Sequence, residues 1–202
     1  MPIGRPSLTE RRKAETRLDV ARAAVGLFVA KGVAATSAEE IAAAAGISSR
    51  TLWRYFPTKD SCVMPLLAGG IELAADWLRS WRGDQDLAEL VEAMRQPGLS
   101  ADDRPAILAL VRLTRTEPGL RAVWLEAHRQ AEPVFAEALA RRSGLAAPGL
   151  AVVVQAAMIN AALRAAVEHH AFHADPAADD AADGAEAAVS EALLLAARVF
   201  SG

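Results

Sequence analysis

The stretch from Thr36 to Lys59, TSAEEIAAAAGISSRTLWRYFPTK, constrains the fold more than any other part of the chain, because it encodes two short helices separated by a glycine turn. Ser37 is placed to cap the first helix: its hydroxyl accepts from the backbone three residues on, while Glu40 reaches back to the Ser37 N–H, the reciprocal bonding of a capping box. Thr36 and Glu39 offer the same device one residue earlier. The helix continues through Ile41 and the run Ala42 to Ala45, whose small side chains let a second helix cross closely. It stops at Gly46, which accepts the left-handed backbone of a helix end at no steric cost. Ile47 plugs the turn and Ser48 caps the following helix. On that helix Leu52 and Phe56 lie four apart and face inward, so Ser49, Arg50, Thr51, Arg54 and Tyr55 are left on the outer side. Residues of these types meet bases and phosphates, and the pattern is that of a helix-turn-helix.

Upstream, Val20, Ala24, Leu27 and Phe28 form an apolar stripe at helical spacing between Thr9 and Lys31, closed by Gly32, which predicts a third helix sharing the same small core. The ordered run LFVAKGVAATSAEEIAAAAGISSRTLWRYFPTKD resembles the TetR-type transcriptional regulators: an aromatic-ended helix, a Lys-Gly break, a Thr-Ser cap, an Ile-Ala-x-x-Ala-Gly turn and a Thr-Leu-aromatic-x-Tyr-Phe-x-x-Lys helix. The resemblance covers roughly the first third of the chain; beyond it only the general helical layout matches. Two departures stand out: Trp53 occupies a position where tyrosine is usual, and Val33 one where an aromatic is common. The resemblance implies phosphate contacts from Tyr55 and Lys59. Arg54 is the residue expected to read a base, since its fork matches the O6 and N7 acceptors of guanine, with Ser49, Arg50 and Thr51 at the end of the helix that enters the groove. Ser37, Ser48 and Trp53 complete the expected DNA-binding face.

The charge distribution agrees. Residues 1–60 carry ten Lys and Arg against six Asp and Glu, whereas residues 61–202 carry twelve Arg against nineteen acids. The positive third is thus the one that carries the motif, and the acidic remainder disfavours a second approach to DNA. Ahead of the first helix, Gly4, Arg5 and Pro6 precede Arg11, Arg12 and Lys13. Two readings of this arm stand: Arg5 laid into an adjacent minor groove, or a disordered, solvated terminus.

Length allows one or two units, and an apolar fraction of 52%, carried largely by alanine, is ample for a buried core. The division expected is an arm and helix-turn-helix over residues 1–60 and a sensing and dimerisation unit over residues 61–202, all-α throughout. The lone Cys62 excludes an internal disulfide; it reads as a small filler at a helix start or as a redox sensor. The N-terminus is polar and basic without the apolar stretch of a signal peptide, and the most apolar run, Gly149 to Val167, is interrupted by Gln155, Asn160 and Arg164. A cytoplasmic protein with no membrane span is expected.

Beyond Lys59, punctuation at Gly83, Gln96 to Ser100, Pro118-Gly119, Ser143 to Gly149 and Ala174 to Gly184 divides the chain into about six further helical segments. These are Lys59 to about Trp81, Asp86 to Met94, Asp103 to Arg115, Gly119 to Arg142, Pro148 to about Phe172, and Ala185 to Phe200. Pro133 should bend or divide the fourth, because it removes a helix hydrogen bond. The acidic connector ADPAADDAADG from Ala174 to Gly184 is expected to be mobile.

In the family resembled, paired C-terminal helices of two subunits form a four-helix interface. Ala156, Ile159, Leu163, Ala166 and Val167, with Leu193, Leu194, Ala197 and Phe200, supply apolar stripes for a homodimer of that kind, which would read a palindrome; the other reading is that these stripes face only their own core. Trp77, Met94, Arg112, Trp124, His128, Phe135, Gln155 and Met158 combine bulky apolar groups with a few polar ones, the mixture found around small-molecule pockets, although such residues also build ordinary cores. His169 and His173 are four apart, a spacing that seats a metal or simply favours a helix C-terminus. No metal, cofactor, nucleophile motif or phosphate loop is expected, and an enzyme has no residues to stand on. The function expected is a dimeric repressor that binds double-stranded operator DNA and is released by a small, largely apolar effector. The alternative is an architectural or protein-partner-controlled DNA-binding protein without a small-molecule ligand.

Overall fold

The computed structural model describes residues 7–81, 89, 103–174 and 181–199 of the chain, and among them every regular element is helical. Helix α1, Leu8–Lys31, starts at Ser7, whose hydroxyl accepts from the Glu10 N–H at 3.2 Å, and ends at Gly32 with φ of 85°. It buries Val20, Ala21, Ala24, Val25 and Phe28, one stripe of a 3.6-residue period.

Helix α2, Ala38–Ala44, carries the complete capping box: Glu40 N–H to Ser37 Oγ at 3.2 Å and Ser37 N–H to Glu40 Oε2 at 2.8 Å. Thr36, the alternative cap, is instead buried, with its hydroxyl donating to Gly32 O at 2.8 Å. Gly46 takes φ of 66° and the Ile47 N–H returns to Ala42 O at 2.9 Å, satisfying a carbonyl the helix end would orphan. Helix α3, Ser49–Tyr55, is capped by Ser48 and turns Leu52 and, just past its end, Phe56 into the core of α1 and α2. Burial of each such side chain contributes about 1.5–3 kcal/mol, enough for three short elements to hold together.

A 3-10 turn, Asp60–Val63, buries Cys62 and Val63 against this core and leads into α4, Met64–Ser80, with Pro65 in its first turn, where a missing N–H costs nothing. The body is completed by α5 (Asp103–Leu113), α6 (Pro118–Arg142), α7 (Leu150–His173) and α8 (Ala181–Val199). Leu66 and Leu67 of α4 extend the first core to Leu110 and Val111 of α5 and to Leu120 and Trp124 of α6. Further along α4, Ala74, Ala75 and Leu78 join a second core with Phe135 and Leu139 of α6, Val152 and Ala156 of α7, and Leu193 of α8. Helices α4, α6 and α7 each contribute buried side chains to both cores, and of these α4 is the one that follows directly on the helix-turn-helix.

Two expectations change. Helix α6 is not divided at Pro133; the proline forfeits one intrahelical hydrogen bond, and Ala131, Phe135 and Ala136 around it are buried in the core and hold the two sides in one helix. Helix α8 begins at Ala181, inside the segment read as a connector; alanine-rich sequence propagates a helix once one face has a partner. The segment read as a helix from Asp86 to Met94 lies outside the described residues apart from Glu89. By length and composition Asp60–Ser80 and Leu150–His173 would both pass as membrane spans. In the fold both are bundle helices, the second holding a buried Asn160 and an Arg164–Glu168 ion pair at 3.4 Å.

Candidate nucleic-acid interface and effector cavity

The outer face of α3 is built by its N-cap and its inward anchors. With Leu52 and Phe56 buried, Arg50, Trp53 and Arg54 are exposed, Trp53 by 47%. Ser48 holds both the Thr51 N–H at 3.2 Å and the Thr51 hydroxyl at 3.0 Å, so Thr51 is half-buried while Ser49 beside it is also half-buried. Arg54 lies over the Tyr55 ring at 5.0 Å, its Nη2 donating to the Tyr55 hydroxyl at 3.5 Å, and the Tyr55 ring meets Phe56 edge-on at 6.4 Å. The guanidinium is thus laid on a ring anchored in the core, which reduces the freedom it must surrender on docking. Ser37 is exposed at the start of α2, beside a Lys31–Glu40 ion pair of 2.5 Å that ties α1 to α2. That pair and the Ser37 amide hold the Glu40 carboxyl down at about 2.

Lys59 is tied into the fold. Its ammonium donates to Val33 O at 2.6 Å and Thr36 O at 2.8 Å, two carbonyls of the loop between α1 and α2. It is a brace across the base of the motif, since a loop carbonyl left buried and unpaired is costly. Arg5, at the arm, lies outside the described residues.

Within the body lies a cavity of ≈ 180 Å³ whose walls are overwhelmingly apolar. Helix α4 forms one side from Leu66 to Trp77; α6 contributes Trp124, His128 and Phe135; α7 contributes Leu163 and Val167; and Arg104 of α5 faces Glu186 of α8. The two charges are paired at 2.7 Å. Trp124 and His128 meet edge-on at 4.2 Å, and the Trp124 indole N–H donates to Glu168 at 2.7 Å.

Of the sequence-derived pocket residues, Trp77, Trp124, His128 and Phe135 line this cavity. Arg112 does not: its Nε donates to Ala171 O at 2.8 Å, a carbonyl in the last turn of α7. Gln155 is exposed and Met158 half-buried, and neither reaches the cavity; both sit on the outer arc of α7. Met94 lies outside the described residues. The reading missed Gly70, a wall residue with open space where a Cβ would be. Adjacent Gly69 and Gly70 in mid-helix cost about 1 kcal/mol each relative to alanine, and that cost was the available signal.

Residues 20–64 match the family described as bacterial regulatory proteins, tetR family, and residues 87–194 match the MftR C-terminal domain. The HTH-type transcriptional regulator TcmR of Streptomyces glaucescens is 30% identical over 149 residues, a match spanning 69% of this chain and 66% of TcmR. The chain is a TetR-family transcriptional regulator. Its architecture is shared with Salmonella enterica GusR, at a TM-score of 0.57 and 16% identity over 93% of this chain and 96% of that one. FadR of Bacillus subtilis, in complex with stearoyl-CoA, superposes at 0.50 with 16% identity over 89% and 96% of the two chains. At such identities the likeness is one of fold.

In this TetR-family chain the stripe expected to pair two subunits is partly used by the subunit's own core, with Ile159, Leu163, Val167 and Leu194 half-buried. Ala156, Ala166 and Leu193 are buried in the subunit's own core, and Ile159, Leu163, Val167 and Leu194 pack against it. Phe200 and the side chain of Ala197 lie outside the described residues. Among the described residues, the large apolar side chains exposed on these helices are Leu150, Val153 and Val154 of α7 and Leu195 of α8, with Leu150 81% exposed. A helix that is apolar all round carries no sequence signal to separate its two faces.

The reading head is joined to the body by a bidentate ion pair, Arg22 of α1 to Asp103 of α5 at 2.7 and 2.9 Å. Asp103 and the cavity residue Arg104 are neighbours in the first turn of α5. Cys62 is buried and burial pushes its thiol up to about 12, so it is a filler and not a thiolate at neutral pH. His169 and His173 stack at 4.4 Å, and His173 Nδ1 lies 2.7 Å from His169 O. Among the described residues no group of three or more candidate metal ligands converges.

Proposed function

We propose that the protein is a cytoplasmic, non-enzymatic repressor that acts as a homodimer on a palindromic operator and is released by a small, largely apolar effector. In this reading residues 1–60 read DNA and residues 61–202 sense and dimerise. The observation that carries it is an apolar cavity walled along one side by α4, whose leading turn is buried under the reading head through Cys62 and Val63. An occupant that fits better when α4 is tilted changes the spacing of two reading heads, and operator affinity falls only by the ligand's preference for that state. FadR of Bacillus subtilis, which shares the fold, holds stearoyl-CoA, a ligand with a long apolar part.

Arg50 and Arg54 are the proposed base-reading residues, with Ser37, Ser48, Ser49, Thr51, Trp53 and Tyr55 supporting them at groove walls and phosphates. Subunit pairing is assigned to the outward face of α7 and α8 bearing Leu150, Val154 and Leu195. The test is titration of labelled operator, selected from random duplexes by the purified protein, with and without hydrophobic compounds. Reciprocity requires that operator weaken ligand binding by the factor by which ligand weakens operator binding. Equal ligand affinities in the presence and absence of operator would refute release by this route, and a filled, unresponsive body would favour an architectural role.

A further inference from the structure

One polar group on the cavity wall has a defined chemical demand. His128 is only 8% exposed. Its Nδ1 lies 2.7 Å from Asn160 Oδ1, while the Asn160 amide nitrogen donates to the His128 carbonyl at 2.9 Å and approaches Glu132 Oε1 at 3.3 Å. The carbonyl and the carboxylate only accept, so they hold the amide with its nitrogen toward them and its oxygen toward the imidazole. The imidazole proton therefore resides on Nδ1, and the second ring nitrogen is a bare acceptor. That nitrogen, Nε2, is buried and has no hydrogen-bond partner among the described residues, on a side chain that lines the cavity. A buried polar atom without a partner costs free energy, and a ligand that supplies the missing donor recovers it.

We propose that the effector is a neutral, predominantly apolar molecule that presents one hydroxyl to His128 Nε2. This rests on the reading of the cavity as the effector site. Neutrality follows because the charges on the wall, Arg104 and Glu186, are already paired with each other, which leaves no counter-charge among the described residues for an ion in an apolar chamber. Flat rings suit the walls formed by Trp77, Trp124 and Phe135. Burial holds the His128 imidazolium below its ordinary range, so the ring remains an acceptor at neutral pH. Asn160 acts as a positioning residue, keeping the proton on the far nitrogen.

The probes are naphthalene, 2-naphthol and 2-methoxynaphthalene, which share a ring system but offer respectively no polar group, a donor, and an acceptor only. Calorimetric titration of the full chain at pH 7 should show 2-naphthol binding about ten- to a hundredfold tighter than the other two, the range expected for satisfying a buried acceptor. In His128→Phe, which keeps an aromatic ring without the acceptor, the three should bind within about threefold of one another. Comparable wild-type affinities, or a preference for 2-naphthol that survives His128→Phe, would overturn the donor assignment while leaving the cavity a ligand site. Failure of all three to bind would overturn both readings. Selective 2-naphthol binding without operator release would uphold the assignment and remove the release mechanism instead. The wild-type series needs no variant, so the result does not depend on His128→Phe folding.

Discussion

The Arg22–Asp103 pair offers the sharpest energetic test of how the reading head is held to the body. The carboxylate side chain is 11% exposed and the guanidinium 42%, so the two ends are unequal. Removing one partner of a buried pair costs about 3–5 kcal/mol, whereas exposed pairs are worth about 0–1 kcal/mol. Arg22→Ala takes both guanidinium contacts from a buried carboxylate and should cost about 2–3 kcal/mol. Asp103→Ala leaves a half-solvated guanidinium that retains Asp19 at 3.4 Å and should cost about 1–2 kcal/mol. The double variant should be less destabilised than the sum, with a coupling of about 1–2 kcal/mol. Arg22→Lys should recover only part of it, because an ammonium cannot make the two-pronged contact. For a chain of this length a loss of about 2 kcal/mol lowers Tm by about 4–8 °C. Urea unfolding followed by circular dichroism measures the cycle, with protein concentration held constant because any self-association contributes to apparent stability. The same variants should also weaken the coupling between ligand and operator, since Asp103 adjoins Arg104 on the cavity wall. Additivity of the single losses within about 0.3 kcal/mol would refute the pair as a strut.

Lys59→Met should cost about 1–3 kcal/mol by taking the ammonium from the Thr36 carbonyl, while the Val33 carbonyl keeps the Thr36 N–H at 3.2 Å, and should weaken binding to all duplexes alike; a variant as stable as wild type in thermal melts would remove the bracing role. A Cβ at Gly119 would collide with the Asp60 carboxylate, so Gly119→Ala should cost about 1–3 kcal/mol and Asp60→Ala in the same chain should relieve it, as unfolding curves of the two would show. His128 is buried neutral, with Glu132 on its own helix and Arg164 and Glu168 on α7 as the nearby charges. The unfolded chain therefore binds the extra proton first, so stability should fall as pH drops below about 6.5, and His128→Phe should flatten that limb of a pH–stability profile. Val154→Glu should give monomers by sedimentation without loss of fold, whereas Leu163→Glu should destabilise the subunit itself by placing a charge at the cavity wall; a dimeric Val154→Glu would move the interface elsewhere.

The helix-turn-helix was legible because its determinants are local. A cap and its reciprocal glutamate lie three residues apart, a left-handed glycine ends one helix, and Leu52 and Phe56 anchor the next; each acts within one or two turns of chain, where spacing alone decides geometry. The body was legible only as a set of helices. Its alanine-rich segments are apolar on several sides, so which arc of α7 meets the core was decided by α6 and α8 packing against it, and Leu163 and Val167 went inward while Leu150 and Val154 stayed out. Long-range partners likewise decided Lys59, which found two carbonyls some twenty residues back in the chain, and Arg112, which found the end of α7. The proton on His128 is the clearest case. Histidine at that position is readable from the sequence, but the nitrogen that carries the proton is set by Asn160, thirty-two residues away. Local sequence specifies elements and their ends; the chemistry of a cavity belongs to whichever side chains the bundle brings to face one another.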